Sequence, residues 1–216
     1  MINGICEMEY ENLIQKSSNL ELNDSITNYD GWGAQQNPHT FEVFYNFLKK
    51  VKPKQILEIG TALGGFTFFL KKSCERLGID CSILTYDIYG RHGYDDLVSN
   101  GIDVRIENVF NSDYSIVEKE VIDYINKEGT SLVLCDGGDK IKEFNLLSNY
   151  LKIGDIIMAH DYSYDKKTFD TEINKKYWNW FEISEKDIEE SCLRNHLYDL
   201  DVEKFKKCVW VCKIKK

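Results

Sequence analysis

The stretch Ile56–Gly65 reads ILEIGTALGG and joins an apolar run to a glycine-rich turn. The apolar residues up to Ile59 are typical of a buried strand. Gly60 permits a sharp bend and the close approach of a ligand, and Gly64 and Gly65 let a following helix pack against the strand. Because backbone N–H groups at a helix start are free to bond a ligand, this turn predicts a binding site.

Strands and helices alternate on both sides of this turn. Continuous apolar runs predict strands at Gln55–Ile59, Ser82–Tyr86, Val104–Val109, Leu132–Cys135 and Ile156–Ala159. Amphipathic spacing predicts helices at His39–Val51, Phe66–Leu77, Tyr114–Lys127 and Lys140–Leu151. Strands without internal alternation, separated by helices, indicate a parallel sheet covered on both faces. We therefore expect an α/β fold, a Rossmann-like three-layer sandwich with a mostly parallel seven-stranded sheet.

The C-terminal part has a different pattern. Trp178–Ile183 and Cys208–Ile214 both have strand character, and the second alternates between two faces. These two segments predict an antiparallel C-terminal hairpin at the edge of the sheet. The 216 residues are expected to form one domain. It would comprise an N-terminal extension or lid (1–37), a cofactor-binding core (38–162) and a substrate-side segment with edge strands (163–216).

Composition excludes several classes of partner. The net charge is −9, and basic residues gather only around Lys49–Lys54 and Lys204–Lys216, which disfavours nucleic acid. The apolar runs are too short to span a bilayer, and no signal pattern opens the sequence. Seven cysteines without a spacing framework indicate reduced thiols. We expect a cytoplasmic protein with a small-molecule acceptor, and the sequence leaves homo-oligomer formation open.

The turn also indicates which ligand it suits. A dinucleotide site places glycine where this chain has Ala62, and no basic residue lies in the turn, so a ligand without phosphate is favoured. Glu58 would meet a positive group or a hydroxyl. Asp87 ends the second strand, where an acid accepts hydrogen bonds from ribose hydroxyls. Phe110 follows the third strand, where an adenine ring would lie. A plain βα turn, a turn cap at Asp87 and a core role for Phe110 are the alternatives.

The motif Glu58-x-Gly60-x-Ala62-x-Gly64 resembles the first motif of class I S-adenosylmethionine (SAM)-dependent methyltransferases, and Asp87 matches the second. The resemblance extends from about residue 32 to residue 162. It implies that SAM binds at Glu58, Gly60, Thr61, Ala62, Gly64, Gly65, Asp87, Ile88, Phe110 and Asp136.

The sequence is similar in particular to the cephalosporin-hydroxylase-type and macrocin- or rhamnosyl-type sugar O-methyltransferases. Their double glycine is present, and so are segments like Trp32-Gly33 and Gln36-Asn37-Pro38. Their fourth strand ends in Asp-Gly-x-His, where this chain has Asp136-Gly137-Gly138-Asp139. Since Asp139 replaces the histidine, no acid/base role is transferred to that position. Their fifth strand ends in an acid pair or in His-Asp, as His160-Asp161 does here.

Two carboxylates, Asp136 and Asp161, end neighbouring parallel strands, and such oxygen ligands suit Mg²⁺. The resemblance implies a divalent ion that holds and acidifies a substrate hydroxyl before in-line attack on the sulfonium methyl. Many methyltransferases without a metal also carry an acid at the Asp136 position. His160 and Asp136 are the candidate catalytic residues, with His160 as the base, since an ordinary histidine titrates near pH 6.5. A third metal ligand and a structural histidine are the other interpretations of His160.

Aromatic residues that follow the fifth strand could stack on a sugar ring, although buried edge aromatics give the same pattern. The candidate substrate contacts are Trp32, Gln36, Tyr162, Trp178 and Trp180. The sequence therefore predicts a SAM-dependent methyltransferase that O-methylates a small hydroxylated acceptor such as a sugar or glycan unit, with Mg²⁺ assistance left open. Two alternatives remain: a catalytically degenerate binding protein with this fold, and an NAD(P)-dependent oxidoreductase. The oxidoreductase is disfavoured by Ala62 and by the lack of a Tyr-x-x-x-Lys pair.

Overall fold

The computed structural model describes residues 27–216. Most of the predicted N-terminal extension therefore lies outside the described residues. The strands are β1 (Thr27–Tyr29), β2 (Trp32–Ala34), β3 (Gln55–Ile59), β4 (Ser82–Asp87), β5 (Asp103–Ile106), β6 (Ser131–Cys135), β7 (Ile156–Ala159), β8 (Tyr162–Ser163), β9 (Ile183–Ser184), β10 (Leu197–Asp199) and β11 (Val211–Lys215). The α-helices are α1 (His39–Val51), α2 (Gly65–Arg76), α3 (Tyr94–Ser99), α4 (Lys119–Ile125), α5 (Lys140–Leu147), α6 (Lys166–Thr168), α7 (Glu185–Arg194) and α8 (Val202–Phe205).

Seven strands form the central sheet in the order β10-β11-β7-β6-β3-β4-β5. Strands β3 to β7 are mutually parallel, whereas β11 is antiparallel to β7 and to β10. The predicted fold class, a mostly parallel seven-stranded sheet with an antiparallel C-terminal edge, is confirmed. The chain runs outward from β3 to β5 and then returns to β6. Ligands of such sheets bind beyond the carboxyl ends of the strands at this change of direction.

The strands are apolar throughout because both faces of the sheet are covered. Ile56 packs into one core cluster, with α1 and α2, and its neighbour Leu57 packs into the other, with α4 and α5. Successive side chains on a strand point to opposite faces, so β3 contributes to both layers. The two layers hold β3 and β6 side by side, and this pairing places their C-terminal turns next to each other.

The sheet does end in an antiparallel pair of C-terminal strands, as predicted, but the first strand of that pair was predicted wrongly. The partner of β11 is β10, with Tyr198 opposite Ile214, and not Trp178–Ile183. Only the last residue of that segment is in a strand, the short β9 that pairs with β8. Trp178 instead turns its indole toward Asp161, so this aromatic residue lies in the interior and not at a sheet edge.

Three other predicted elements are shorter than expected. The strand Val104–Val109 ends at Ile106. The helix Tyr114–Lys127 begins only at Lys119, because the Asn111 carboxamide oxygen accepts the N–H groups of residues 115 and 116 and holds a loop there. The helix Lys140–Leu151 is α-helical to Leu147 and continues as a short 3-10 turn.

The six cysteines in residues 27–216 are all free thiols. Among the helices of that same part, each is too short or too polar to cross a membrane.

Candidate active site at the carboxyl ends of the strands

The glycine turn packs directly against the end of β6. Gly60 has a φ of 98°, and its N–H donates to the Tyr86 carbonyl at 2.8 Å. A Cβ atom at Gly60 would lie 2.2 Å from the backbone oxygen of Asp136. Gly65 is equally close to its neighbours, since a Cβ there would lie 2.4 Å from the carbonyl oxygen of Gly33. The turn is therefore fixed by backbone contacts on two sides.

Trp32 covers this turn and not the acidic residues beyond it. Its ring lies over Gly64 and Gly93, where added Cβ atoms would be 3.5 Å and 2.8 Å away. It also packs on Phe68, with ring centroids 5.5 Å apart. This places Trp32, a predicted substrate contact, on the outer side of the turn.

Glu58 is buried and bonded within the protein. Its Oε2 atom accepts hydrogen bonds from the Thr67 and Thr85 hydroxyls, both at 2.6 Å, and Thr61 bonds Thr85 in turn. Burial raises the pKa of Glu58 to about 7, against an ordinary value of 4.5. The hydroxyl partners of Glu58 are thus two threonines of the chain itself, which tie α2 and β4 to β3.

We expect Glu58→Gln to change the pH dependence of stability. Between pH 4.5 and 7 the folded state holds a proton that the unfolded state has lost, so the free energy of unfolding of the wild type falls as the pH rises. The difference between the two pKa values corresponds to a loss of about 3 kcal/mol in the free energy of unfolding. Glutamine can bond the same hydroxyls without a charge and removes this loss.

Urea unfolding at pH 5 and pH 8 measures the effect. The Gln variant should gain stability relative to wild type at pH 8, and exposed Glu189→Gln should not. An equal difference between variant and wild type at both pH values would contradict the assignment of the raised pKa to Glu58.

Asp87 lies over the glycine turn. Its Oδ2 atom accepts the Ala62 N–H at 2.8 Å, and its Oδ1 atom accepts the Tyr89 N–H at 2.9 Å. The Tyr94 hydroxyl donates to the Ala62 carbonyl at 2.9 Å. These bonds hold Ala62 at a left-handed φ of 48°, which non-glycine residues seldom adopt. The Tyr94 hydroxyl also lies 3.3 Å from Asp87 Oδ2, whereas Oδ1 accepts only the Tyr89 N–H among the described residues and keeps a lone pair for a ligand.

A cavity of about 200 Å³ opens where β3, β4, β5 and β6 end. Glycine-turn residues form one wall, Ile88 and Phe110 form another, and Phe110 stacks on Tyr114 with ring centroids 4.9 Å apart. None of the described residues that line the cavity is basic. Its carboxyl groups are those of Asp87, Glu107, Asp136 and Glu143. The cavity therefore suits a ligand that is neutral or positively charged.

Asp136 connects this cavity to a second group of polar side chains. Its Oδ1 atom lies 3.1 Å from His160 Nδ1, and its Oδ2 atom accepts a 2.7 Å hydrogen bond from Gln36 Nε2. Gln36 Oε1 accepts in turn from the Trp210 indole at 2.9 Å. The His160 ring stacks on Trp210 at 4.9 Å between centroids. Gln36, a predicted substrate contact, is thus a buried bridge that orients Asp136.

Asp161 completes the cluster. Its Oδ1 atom accepts the Trp178 indole N–H at 2.6 Å and lies 3.6 Å from His160 Nδ1. One ligand atom each from Asp136, His160 and Asp161 falls within a 4.8 Å span, which is close enough to hold a metal ion. The two carboxylates and the histidine that the sequence singled out therefore lie together.

Lys140 and Glu182 also belong to this cluster, and neither is among the residues predicted from the sequence. The Lys140 Nζ atom lies 3.0 Å from Asp161 Oδ2, 2.9 Å from Glu182 Oε2 and 3.8 Å from Asp136 Oδ1, and it donates to the Gly137 carbonyl at 3.0 Å. The position of Lys140 four residues after Asp136 was a usable signal. Glu182 gave none, because it is 42 residues away from Lys140 in sequence.

The cluster as arranged does not fit Mg²⁺. Each of the four oxygens of Asp136 and Asp161 accepts a bond from His160, Gln36, Trp178 or Lys140, so a metal ion would have to compete with these partners. The Lys140 ammonium also stands where it would repel a divalent ion held by the same carboxylates.

Charge and burial set the protonation states. Burial raises the pKa of Asp136 above its ordinary value, against the opposing effect of His160. Burial lowers the pKa of His160, but Asp136 and Asp161 outweigh burial and raise it. Burial acts to raise the pKa of Asp161, and His160 and Lys140 reverse this, so the pKa lies below its ordinary value. Nε2 of His160 is buried and has no hydrogen-bond partner among the described residues.

Asp139 is the N-cap of α5. Its side chain accepts the Lys142 N–H at 3.1 Å. The buried Glu143 carboxylate accepts the N–H groups of Gly137 and Asp139, both at 3.1 Å. The aspartate in place of the expected histidine therefore caps a helix.

The remaining predicted substrate contacts are dispersed. Trp178 is buried beside His160, with ring centroids 5.1 Å apart. The Tyr162 hydroxyl donates to Glu185 at 2.8 Å, and Tyr162 lines a different cavity of about 270 Å³. Trp180 is 61% exposed at the surface. Of the aromatic candidates, only Trp178 contacts the Asp136–Asp161 cluster.

No protein-family model and no curated protein matches this sequence. Solved structures do resemble the fold. The apo structure of CmcI-N160 has a TM-score of 0.60 at 13% identity, covering 88% of this chain and 76% of that one. CmcI-N160 with SAH has a TM-score of 0.58 at 14% identity, covering 89% and 85%. The Mg-SAM structure of CmcI-D160 has a TM-score of 0.57 at 15% identity, covering 88% and 76%. The chain therefore shares the fold of these CmcI structures.

Proposed function

We propose that this protein is a SAM-dependent O-methyltransferase that acts on a small hydroxylated acceptor such as a sugar or glycan unit. The observation that carries the proposal is the acidic cavity at the ends of β3 to β6, which is lined by carboxyl groups and by no basic residue of the described part. SAM carries positive sulfonium and ammonium groups and no phosphate. A dinucleotide carries a negatively charged pyrophosphate, which such a cavity would repel.

The walls of the cavity match the parts of this ligand. Asp87 has a lone pair left on Oδ1 for a ribose hydroxyl, Ile88 and Phe110 offer apolar surface to an adenine ring, and the turn at Gly60 allows close approach. Asp136 lies at the boundary between this cavity and the His160 cluster. Bound SAM supplies an electrophilic methyl group, so the chain must supply a base for the acceptor hydroxyl.

His160 is the proposed base. Asp136 holds its Nδ1 atom and thereby fixes the ring, which leaves Nε2 as the nitrogen able to accept a proton. A buried nitrogen without a partner costs about 1–3 kcal/mol, and an acceptor hydroxyl bonded there would offset that cost. Asp136 and Asp161 favour the protonated imidazole, which assists the proton transfer.

Calorimetry with SAM, S-adenosylhomocysteine and NAD tests the cofactor. We expect both adenosyl ligands to bind with micromolar dissociation constants and NAD to give no signal. Asp87→Asn should weaken SAM binding about tenfold or more, because hydrogen bonds to a charged group contribute about 1.5–3 kcal/mol. Asp80→Asn is the matched control, since the Asp80 side chain is fully exposed. Micromolar NAD binding without a response to either adenosyl ligand would reject the proposal.

Turnover separates an enzyme from a binding protein with the same fold. Incubation with SAM and a panel of hydroxylated acceptors should release S-adenosylhomocysteine. Tight SAM binding with no turnover on any acceptor would favour the binding protein.

A further inference from the structure

We propose that the Lys140 ammonium is the resident cation of the Asp136–Asp161 cluster, in the place that a divalent metal ion would take, and that methyl transfer here needs no metal. Lys140 would act as a positioning residue that holds the carboxylates of Asp136 and Asp161 in place beside His160. The inference rests on the proposed function for its catalytic consequence, whereas its claim about metal binding can be tested without turnover.

The first support is the coordination of the ammonium group. Three acceptors surround Nζ at 2.9–3.0 Å: Glu182 Oε2, Asp161 Oδ2 and the Gly137 carbonyl. An ammonium has three protons, so these partners use all of them. Asp136 Oδ1 lies 3.8 Å away and contributes attraction without a hydrogen bond.

The second support is the fixed position of the lysine. Lys140 is only 6% exposed and is the first residue of α5, whose N-cap is Asp139. Its own backbone N–H donates to Glu182 Oε1 at 2.9 Å, so Glu182 accepts hydrogen bonds from both the main chain and the side chain of Lys140. Moving Nζ out of the cluster would remove the ammonium that pairs with Asp161 and Glu182, which is unfavourable at a largely buried site.

The third support is charge balance. Asp136, Asp161 and Glu182 bring negative charge into a mostly buried site, and Lys140 with His160 offsets it. A divalent ion bound by the same oxygens would displace or repel the ammonium. The side chain that neutralises these carboxylates therefore also excludes the metal.

Binding of Mn²⁺, followed by electron paramagnetic resonance of the free ion, tests the inference. Wild type should show no Mn²⁺ binding at this site, whereas Lys140→Met should bind one Mn²⁺. Adding Asp161→Asn to Lys140→Met should abolish that binding. Lys213→Met is the matched control, because Lys213 is also buried between two carboxylates, Glu185 and Asp199, without a third converging ligand.

Activity gives the second readout. Turnover of the wild type should be unaffected by EDTA, Lys140→Arg should retain most of it, and Lys140→Met should lower kcat with little change in SAM affinity. Wild type that binds Mn²⁺ as tightly as Lys140→Met, or a folded Lys140→Met that binds none, would overturn the inference. So would EDTA-treated wild type that recovers turnover only with Mg²⁺.

The Mn²⁺ binding and turnover measurements test the inference separately from the proposed function. If the protein binds no SAM, the proposed function fails, and the Mn²⁺ measurement still gives its answer. If Lys140→Met does not fold, Lys140→Gln replaces it, and Mn²⁺ binding by the wild type alone is enough to reject the inference.

Discussion

Gly60→Ala is expected to abolish SAM binding and to lower the free energy of unfolding by about 3 kcal/mol or more. The added methyl group would lie 2.2 Å from the Asp136 carbonyl oxygen, 2.5 Å from its carbon and 2.9 Å from the Gly137 nitrogen. All three are backbone atoms, so no side chain can rotate away. The ends of β3 and β6 would have to separate, and the cavity between them would lose its shape.

Gly154→Ala separates backbone strain from this steric overlap. Gly154 has a φ of 91°, close to the 98° of Gly60, but a Cβ atom there would meet nothing within 4 Å. Its cost should therefore be limited to the left-handed conformation, about 1–2 kcal/mol, with SAM affinity unchanged. Urea unfolding and calorimetry measure both quantities. Equal losses in the two variants would show that the turn does not depend on contact with β6.

The elements predicted best are strands buried on both faces and a clearly amphipathic helix. The bounds of β3 and β7, and of α1, match the expectation, because continuous apolar runs and helical spacing mark them clearly. β10 could not be predicted in this way. It has three residues, and its middle residue, Tyr198, is 49% exposed, so an edge strand of this kind leaves no apolar pattern.

The site was predictable where parallel strands bring their ends together. Such ends carry Asp87, Asp136, His160 and Asp161. A parallel sheet places these residues at one edge independently of the conformation of the loops. Lys140 and Glu182 were not predictable as a pair, since their contact depends on how residues 161–184 fold back. Glu58 shows a further limit, because its partners are buried threonines that composition alone does not distinguish from surface residues.

His160→Asn is expected to lower turnover about a thousandfold, within the range of about 10²–10⁴ that general-base catalysis contributes, with little change in SAM affinity. The asparagine amide can occupy the place of Nδ1 and keep the hydrogen bond to Asp136, whereas Nε2 is lost. His160 does not line the acidic cavity, so cofactor binding should remain. His196→Asn is the control, because His196 is exposed and its left-handed φ of 52° is one that asparagine tolerates.

Asp136→Asn distinguishes the role of Asp136 from that of His160. Asp136 lines the cavity and also holds His160, so its loss should reduce both SAM affinity and turnover. Groups that act as one unit give strongly non-additive losses, so the double variant should have nearly the turnover of His160→Asn alone at saturating SAM. Steady-state kinetics and calorimetry on the three variants measure this. Additive losses would mean that Asp136 acts without His160, and unchanged turnover in His160→Asn would remove His160 as the base.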